Sequence, residues 1–221
     1  MTDLNLTVAG LVDTWHDGPD SPSLVTCAPP GYVYMERARP RRDDQACSML
    51  CNHGGVCLLY HDRLHARLIR TAEYKTFQHI AVYLHGSALR TLFIVVYRPG
   101  SVAAPSAFFD EFAHLLDHAN NYTSVVIMGD VNIHLDNATD AATVSFALIL
   151  TSYNLIQVVQ SPTHTAEHLL DVVIVRVGTT ATRVNVPPPP AGLSDHSMID
   201  VTLDLRYLNQ FESTSCAVIQ L

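Results

Sequence analysis

Asp13, Asp130, Asn132, Asp171, Asp195 and His196 each end, interrupt or immediately precede an apolar run. Strand ends deliver side chains from a rigid core to one rim, so residues placed this way can meet. Gly129-Asp130-Val131-Asn132 directly follows the apolar residues 125–128, and strand alternation puts Asp130 and Asn132 on one side. A carboxylate beside a carboxamide can polarise a water or contact a phosphate oxygen. The same residues also fit an Asx turn that ends a strand. In Ser194-Asp195-His196, Asp195 can ligate a hard cation through oxygen, and His196 can donate a hydrogen bond to a phosphoryl oxygen. A turn or helix cap is the alternative there. Asp171 lies inside the apolar residues 169–175, where a carboxylate is costly unless paired. A histidine is its natural partner, and His196 is the candidate. In Asp13-Thr14-Trp15, Asp13 can serve as a metal carboxylate or as a strand-end turn residue.

The elements that must position these residues follow from hydrophobic periodicity. Residues 4–12, 31–35, 54–60, 125–128, 155–159, 169–175 and 198–205 read as strands, with 63–70 a candidate partner for 54–60. Residues 77–85 and 91–97 flank Gly86-Ser87 and predict a hairpin. Pro105 opens an amphipathic helix with Phe108, Phe109, Phe112, Leu115 and Leu116 on one face, and residues 141–150 read as a second helix. Residues 16–30 and 37–53 read as loops, and 187–190 as a stiff proline linker. Many strands with helices at intervals predict an α/β fold of two sheets with helices outside.

At 221 residues the chain can form one domain with a sizeable core, and 48% apolar against 15% charged residues excludes disorder. The formal net charge of −8 argues against tight DNA binding through bulk charge, yet catalytic carboxylates add negative charge where cations sit. The basic residues Arg37, Arg39, Arg41 and Arg42 cluster, as a DNA-phosphate contact or as a solvated loop. No apolar run is long enough to span a bilayer, and the five cysteines are an odd number, so a reduced intracellular protein is expected. Cys47, Cys51, His53 and Cys57 follow no recognisable zinc spacing, and His114 with His118 share a helical face with Glu111 and Asp117 nearby.

The order of the polar clusters carries a resemblance across nearly the whole chain. Trp15-His16-Asp17 with Pro29-Pro30-Gly31-Tyr32, Gly54-Gly55-Val56-Cys57-Leu58, Val96-Tyr97-Arg98-Pro99, Gly129-Asp130-Val131-Asn132, Ser161-Pro162-Thr163-His164, Leu170-Asp171-Val172-Val173 and Ser194-Asp195-His196 resemble the endonuclease/exonuclease/phosphatase superfamily. Within it, the likeness is to apurinic-type endonuclease domains of non-LTR retrotransposons. The resemblance implies a four-layer α/β sandwich of two mainly antiparallel sheets over residues 1–206, followed by a C-terminal tail, 207–221. It implies phosphodiester hydrolysis with Mg²⁺, or Mn²⁺ in its place. Asp130, Asn132, Asp171, His196 and Tyr97 would be catalytic, with Asp13 and Asp195 at the metal. Thr163, Arg98 and Ser194 would contact substrate. The implied partner is double-stranded DNA, nicked in the nucleus, with a linked reverse transcriptase in a complete element and no membrane. A same-fold phosphodiesterase or phosphatase with another substrate, and an inert relic, are the competing readings.

Two departures bear on this reading. The family's metal-binding glutamate is Asp13 here, one methylene shorter. The family's first strand, which carries an asparagine, and the helix after it are expected to be missing, which would leave an unpaired apolar edge beside the strand at residues 4–12.

Overall fold

In strand β1 (Val8–Val12), Val8 and Val12 turn to one side of the sheet and Ala9 and Leu11 to the other, the period of two that any strand imposes. Every residue of β1 is buried, so both faces must be covered. The computed structural model describes residues 6–39, 54–87, 89–189, 192, 194–207 and 210–220. Its elements are β1, α1 (Pro22–Cys27), β2 (Tyr32–Arg37), β3 (Val56–His61), β4 (His65–Leu68), β5 (Gln78–His85), β6 (Arg90–Tyr97), α2 (Ser106–Ala119), β7 (Val125–Asp130), α3 (Ala141–Ser152), β8 (Leu155–Gln157), β9 (Asp171–Arg176), β10 (Thr180–Asn185), β11 (Ile199–Tyr207) and β12 (Gln210–Gln220). They build two six-stranded sheets, ordered β10-β11-β12-β1-β3-β2 and β4-β5-β6-β7-β9-β8. The β1–β12 and β6–β7 pairs are parallel and the other ladders antiparallel.

Three apolar clusters give four layers. The central one joins Val8, Val12, Leu58, Val201 and Val218 of the first sheet to Val82, Phe93, Val95, Met128 and Val173 of the second. On the outer face of the second sheet, Leu92, Ile94, Ile127, Val172 and Ile174 meet Phe108, Phe112 and Leu115 of α2 and Phe146 and Leu150 of α3. On the outer face of the first sheet, Ala9, Leu11, Cys57 and Leu59 meet Leu24 of α1. Asp140 caps α3, accepting from the backbone N–H of Ala142 at 2.9 Å and of Thr143 at 3.2 Å.

The structure corrects four readings of the sequence. Residues 210–220, read as tail, form β12, with Thr214, Cys216, Ala217 and Val218 buried. This strand fills the place beside β1 that was expected to stand empty, pairing Val8 with Cys216 through Val12 with Gln220, so β1 lies between β12 and β3. The loop expected over 16–30 contains α1, and β4 pairs with β5 rather than β3. β10 went unread because its side chains are mostly exposed and carry no alternation. Arg41, Arg42, Cys47, Cys51, His53 and Pro190 lie outside the described residues. Among the described residues, no helix is long and apolar enough to cross a membrane.

Candidate active site

Register brings the first part of the site together. Tyr97 pairs with Asp130 across β6 and β7, and Asp130 pairs with Asp171 across β7 and β9. Each shares strand parity with residues of the central core, namely Val95, Met128 and Val173. The three therefore form a row at the end of the second sheet, directed between the sheets. Gly129 permits the close approach of β7 to β6: it has φ +134°, and a Cβ there would lie 1.9 Å from the Val96 carbonyl oxygen. From the first sheet, Asp13 follows β1 and His196 precedes β11.

Hydrogen bonds lock this row. His196 Nδ1 lies 2.8 Å from Asp171 Oδ2, both side chains buried, as the sequence anticipated. Asp130 is fully buried; its Oδ1 accepts the Asn132 backbone N–H at 2.8 Å and its Oδ2 the Asn132 side-chain amide at 2.6 Å. Asn132 adopts φ +50°, a left-handed conformation that asparagine tolerates, and this turns its amide back onto Asp130. One carboxylate oxygen each from Asp130 and Asp171 and a His196 nitrogen lie within 4.8 Å of one another.

The charges follow from this packing. Burial first, then the Asp171 charge, holds the Asp130 carboxyl well above the usual carboxylate range. Burial by itself would lower the His196 imidazole, but the Asp171 hydrogen bond and the charges of Asp171, Asp130 and Asp195 outweigh it and raise the group. Burial and the nearby Asp13 and Asp130 push the Tyr97 phenol up, so it stays a neutral donor.

Asp13 contrasts with its neighbours. It lies near enough to Tyr97 to help raise that phenol, but its Oδ1 is buried with no protein partner. A buried carboxylate oxygen without a donor is costly, and a hard divalent cation would satisfy it. The donors here are oxygens, so the site fits Mg²⁺ or Mn²⁺. Asp195 is 68% exposed, with Oδ2 3.2 Å from His164 Nε2. Among the described residues, no group of three ligating side chains joins Asp195 to Asp13.

The three residues expected to contact substrate have other partners. Arg98 is buried and donates to the carbonyls of Val131, Asn132, Pro99 and Val102, so it braces the turn that carries Asn132. Thr163 is fully buried, its Oγ1 accepting the backbone N–H groups of Leu170 and Asp171, each at 3.1 Å. Ser194 Oγ accepts the His196 N–H at 3.0 Å. Arg98 thus holds the turn after Asp130, and Thr163 and Ser194 hold the segments that carry Asp171 and His196. The sequence reading also missed a buried relay behind Asp13, with Thr14 Oγ1 2.5 Å from His16 Nδ1 and His16 Nε2 2.6 Å from Glu36 Oε2. A histidine two residues after a strand-end threonine was the available signal, but Glu36 on β2 could not be matched to it without the sheet.

Residues 91–200 match the family model described as "Endonuclease-reverse transcriptase". No curated protein matches the chain. Solved structures share its fold. An endonuclease/exonuclease/phosphatase from Bacteroides vulgatus aligns with a TM-score of 0.64 at 14% identity, over 93% of this chain and 87% of that one. The 3′ phosphatase NExo from Neisseria, bound to product DNA hairpin, gives 0.58 at 14%, over 91% and 89%. The endonuclease domain of TRAS1, a telomere-specific non-LTR retrotransposon, gives 0.55 at 13%, over 76% of each chain.

Proposed function

Because this chain belongs to the endonuclease/exonuclease/phosphatase superfamily, we propose that it hydrolyses a phosphodiester bond of double-stranded DNA, as a retrotransposon-type nicking endonuclease does. The observation that carries the reading is the buried contact of His196 with Asp171, set beside Asp130 and its clamp, Asn132. Asp171 holds the proton on His196 Nδ1 and favours the imidazolium, whose Nε2–H donates to a phosphoryl oxygen as negative charge builds there. Asp130, its carboxyl held above the usual carboxylate range by burial and the Asp171 charge, takes the proton of the attacking water, and Asn132 holds its carboxylate in line. Tyr97 donates from the neighbouring position in the row. Asp13 would hold the cation, Mg²⁺ or Mn²⁺, which supplies Lewis-acid charge opposite the phosphoryl oxygens. Asp195 raises His196 and lies at the open edge, where it can add to the cation's surroundings. In a complete element the domain would act in the nucleus, linked to a reverse transcriptase.

The test is nicking of supercoiled plasmid by the purified chain, with Mg²⁺ and with a chelator, beside His196→Ala. Nicking that needs Mg²⁺ and falls by about a thousandfold or more in the variant is expected. Equal nicking by a folded His196→Ala protein would overturn the assigned roles. No nicking by the folded parent would favour a non-DNA substrate or an inert relic.

A further inference from the structure

His134, Asp136 and His168 form a second ligating cluster, outside the Asp130–Asp171–His196 row. A ligand atom from each lies within 4.8 Å of the other two. We propose that these three residues bind a zinc-class divalent cation, which ties the turn after β7 to the approach to β9.

The geometry is close to what such an ion needs. His168 Nδ1 lies 3.2 Å from Asp136 Oδ2. Tetrahedral zinc with bonds of about 2.0–2.1 Å separates its ligand atoms by roughly 3.3 Å. The His134 and His168 rings lie 4.0 Å apart between centroids, so the third ligand reaches the same point with a small side-chain movement. The ligands sit on backbone that is already fixed. Asp136 Oδ1 accepts the Leu169 N–H at 2.9 Å, Leu135 N–H donates to the Leu169 carbonyl at 3.0 Å, and Thr143 Oγ1 donates to the His134 carbonyl at 3.0 Å. Little ordering is left for the ion to impose, and solvent can supply a fourth ligand because His134 and Asp136 are exposed.

The donor set also selects the ion. Two imidazoles and one carboxylate suit zinc, copper or nickel, whereas magnesium prefers oxygen. The cluster is therefore chemically distinct from the oxygen-lined surroundings of Asp13. Its position gives the ion a structural role. The turn leading to Asp136 begins at Asp130 and Asn132, the segment following His168 enters β9 at Asp171, and Val131 N–H already donates to the Leu170 carbonyl at 3.2 Å. An ion here would hold those two segments together from outside.

The full chain, freed of metal with a chelator, is titrated with Zn²⁺ against a chromophoric competitor, alongside His134→Gln, His168→Gln and His164→Gln. His134→Gln and His168→Gln should each lose one bound equivalent that His164→Gln keeps. Zn²⁺ should raise the Tm of the parent and not that of His134→Gln, whose exposed ring can be replaced without disturbing the core. Unchanged stoichiometry and affinity in His134→Gln, or no saturable Zn²⁺ binding by the parent, would overturn the proposal. So would a lost equivalent in His164→Gln alone, which would place the ion beside Asp195.

Discussion

His196 and His79 are both buried, yet the structure drives their charges in opposite directions. His196 meets the Asp171 carboxylate at 2.8 Å and its imidazole is raised. His79, in β5, meets the Thr71 hydroxyl at 2.5 Å, and burial, with Arg37 and His118 nearby, pushes it down to about 4. Burial disfavours the imidazolium in both places; only the partner differs. A hydroxyl leaves a neutral histidine that fills sheet space, whereas a carboxylate makes a cationic donor. Function follows the partner, which the sheet register supplies.

Asp171→Asn should break this contrast most severely. It gives His196 a neutral partner, as His79 has, and removes the group that fixes its tautomer. Nicking should fall by about 10²–10⁴-fold, by analogy with the loss of an orienting carboxylate in a catalytic triad. The alkaline limb of the pH–rate profile should also move to lower pH, because the imidazolium loses its largest support. The test is a pH–rate series on a variant shown by circular dichroism to be folded. A parent-like rate and profile would mean that His196 acts without Asp171.

A smaller effect should come from His79, in stability rather than rate. Its folded value lies below that of the unfolded chain, so its contribution is complete above about pH 6.5 and is lost as pH falls toward about 4. That loss is on the order of 3 kcal/mol across the whole range. Denaturant midpoints measured from pH 6.5 to 5, above the carboxylate range, should fall in the parent and stay flatter in His79→Gln, where no imidazole can titrate. Equal slopes would show that His79 is not held neutral.

The same dependence on partners explains what could be read from the chain. Continuous apolar, β-branched and aromatic runs marked β5, β6, β7 and β9, and the polar residues breaking or ending those runs marked Asp130, Asn132 and Asp171. The pairing of Asp171 with His196 was legible because a carboxylate inside an apolar strand needs a partner. Arg98, Thr163 and Ser194 were harder. Their positions in the motifs suggested contact with substrate; the Arg98 and Thr163 bonds go to backbone groups that folding brings near, whereas Ser194 bonds the N–H of His196 two residues on, within the turn that the sequence allowed. β12 was missed for a related reason. Residues 210–220 mix polar and small residues, and their value as a strand lies in the vacant place beside β1, a non-local fact. The His134–Asp136–His168 cluster joins segments more than thirty residues apart and has no local spacing to betray it.

Asp13 carries the comparison to its smallest predicted effect, this time between carboxylates. Asp171 has its histidine and Asp130 its asparagine, but one Asp13 oxygen is buried without a partner. If that oxygen awaits a cation, Asp13→Asn should raise the Mg²⁺ concentration for half-maximal nicking by about tenfold, in the range found when the groups around a metal site are altered. Asp13→Glu, one methylene longer, should lower that concentration or raise the rate. The measurement is a Mg²⁺ titration of nicking for parent and both variants, with Mn²⁺ in parallel. An Asn variant with the parent's Mg²⁺ dependence would show that the orphaned oxygen is only a cost of packing β1 against Tyr97, and that the cation sits nearer Asp195.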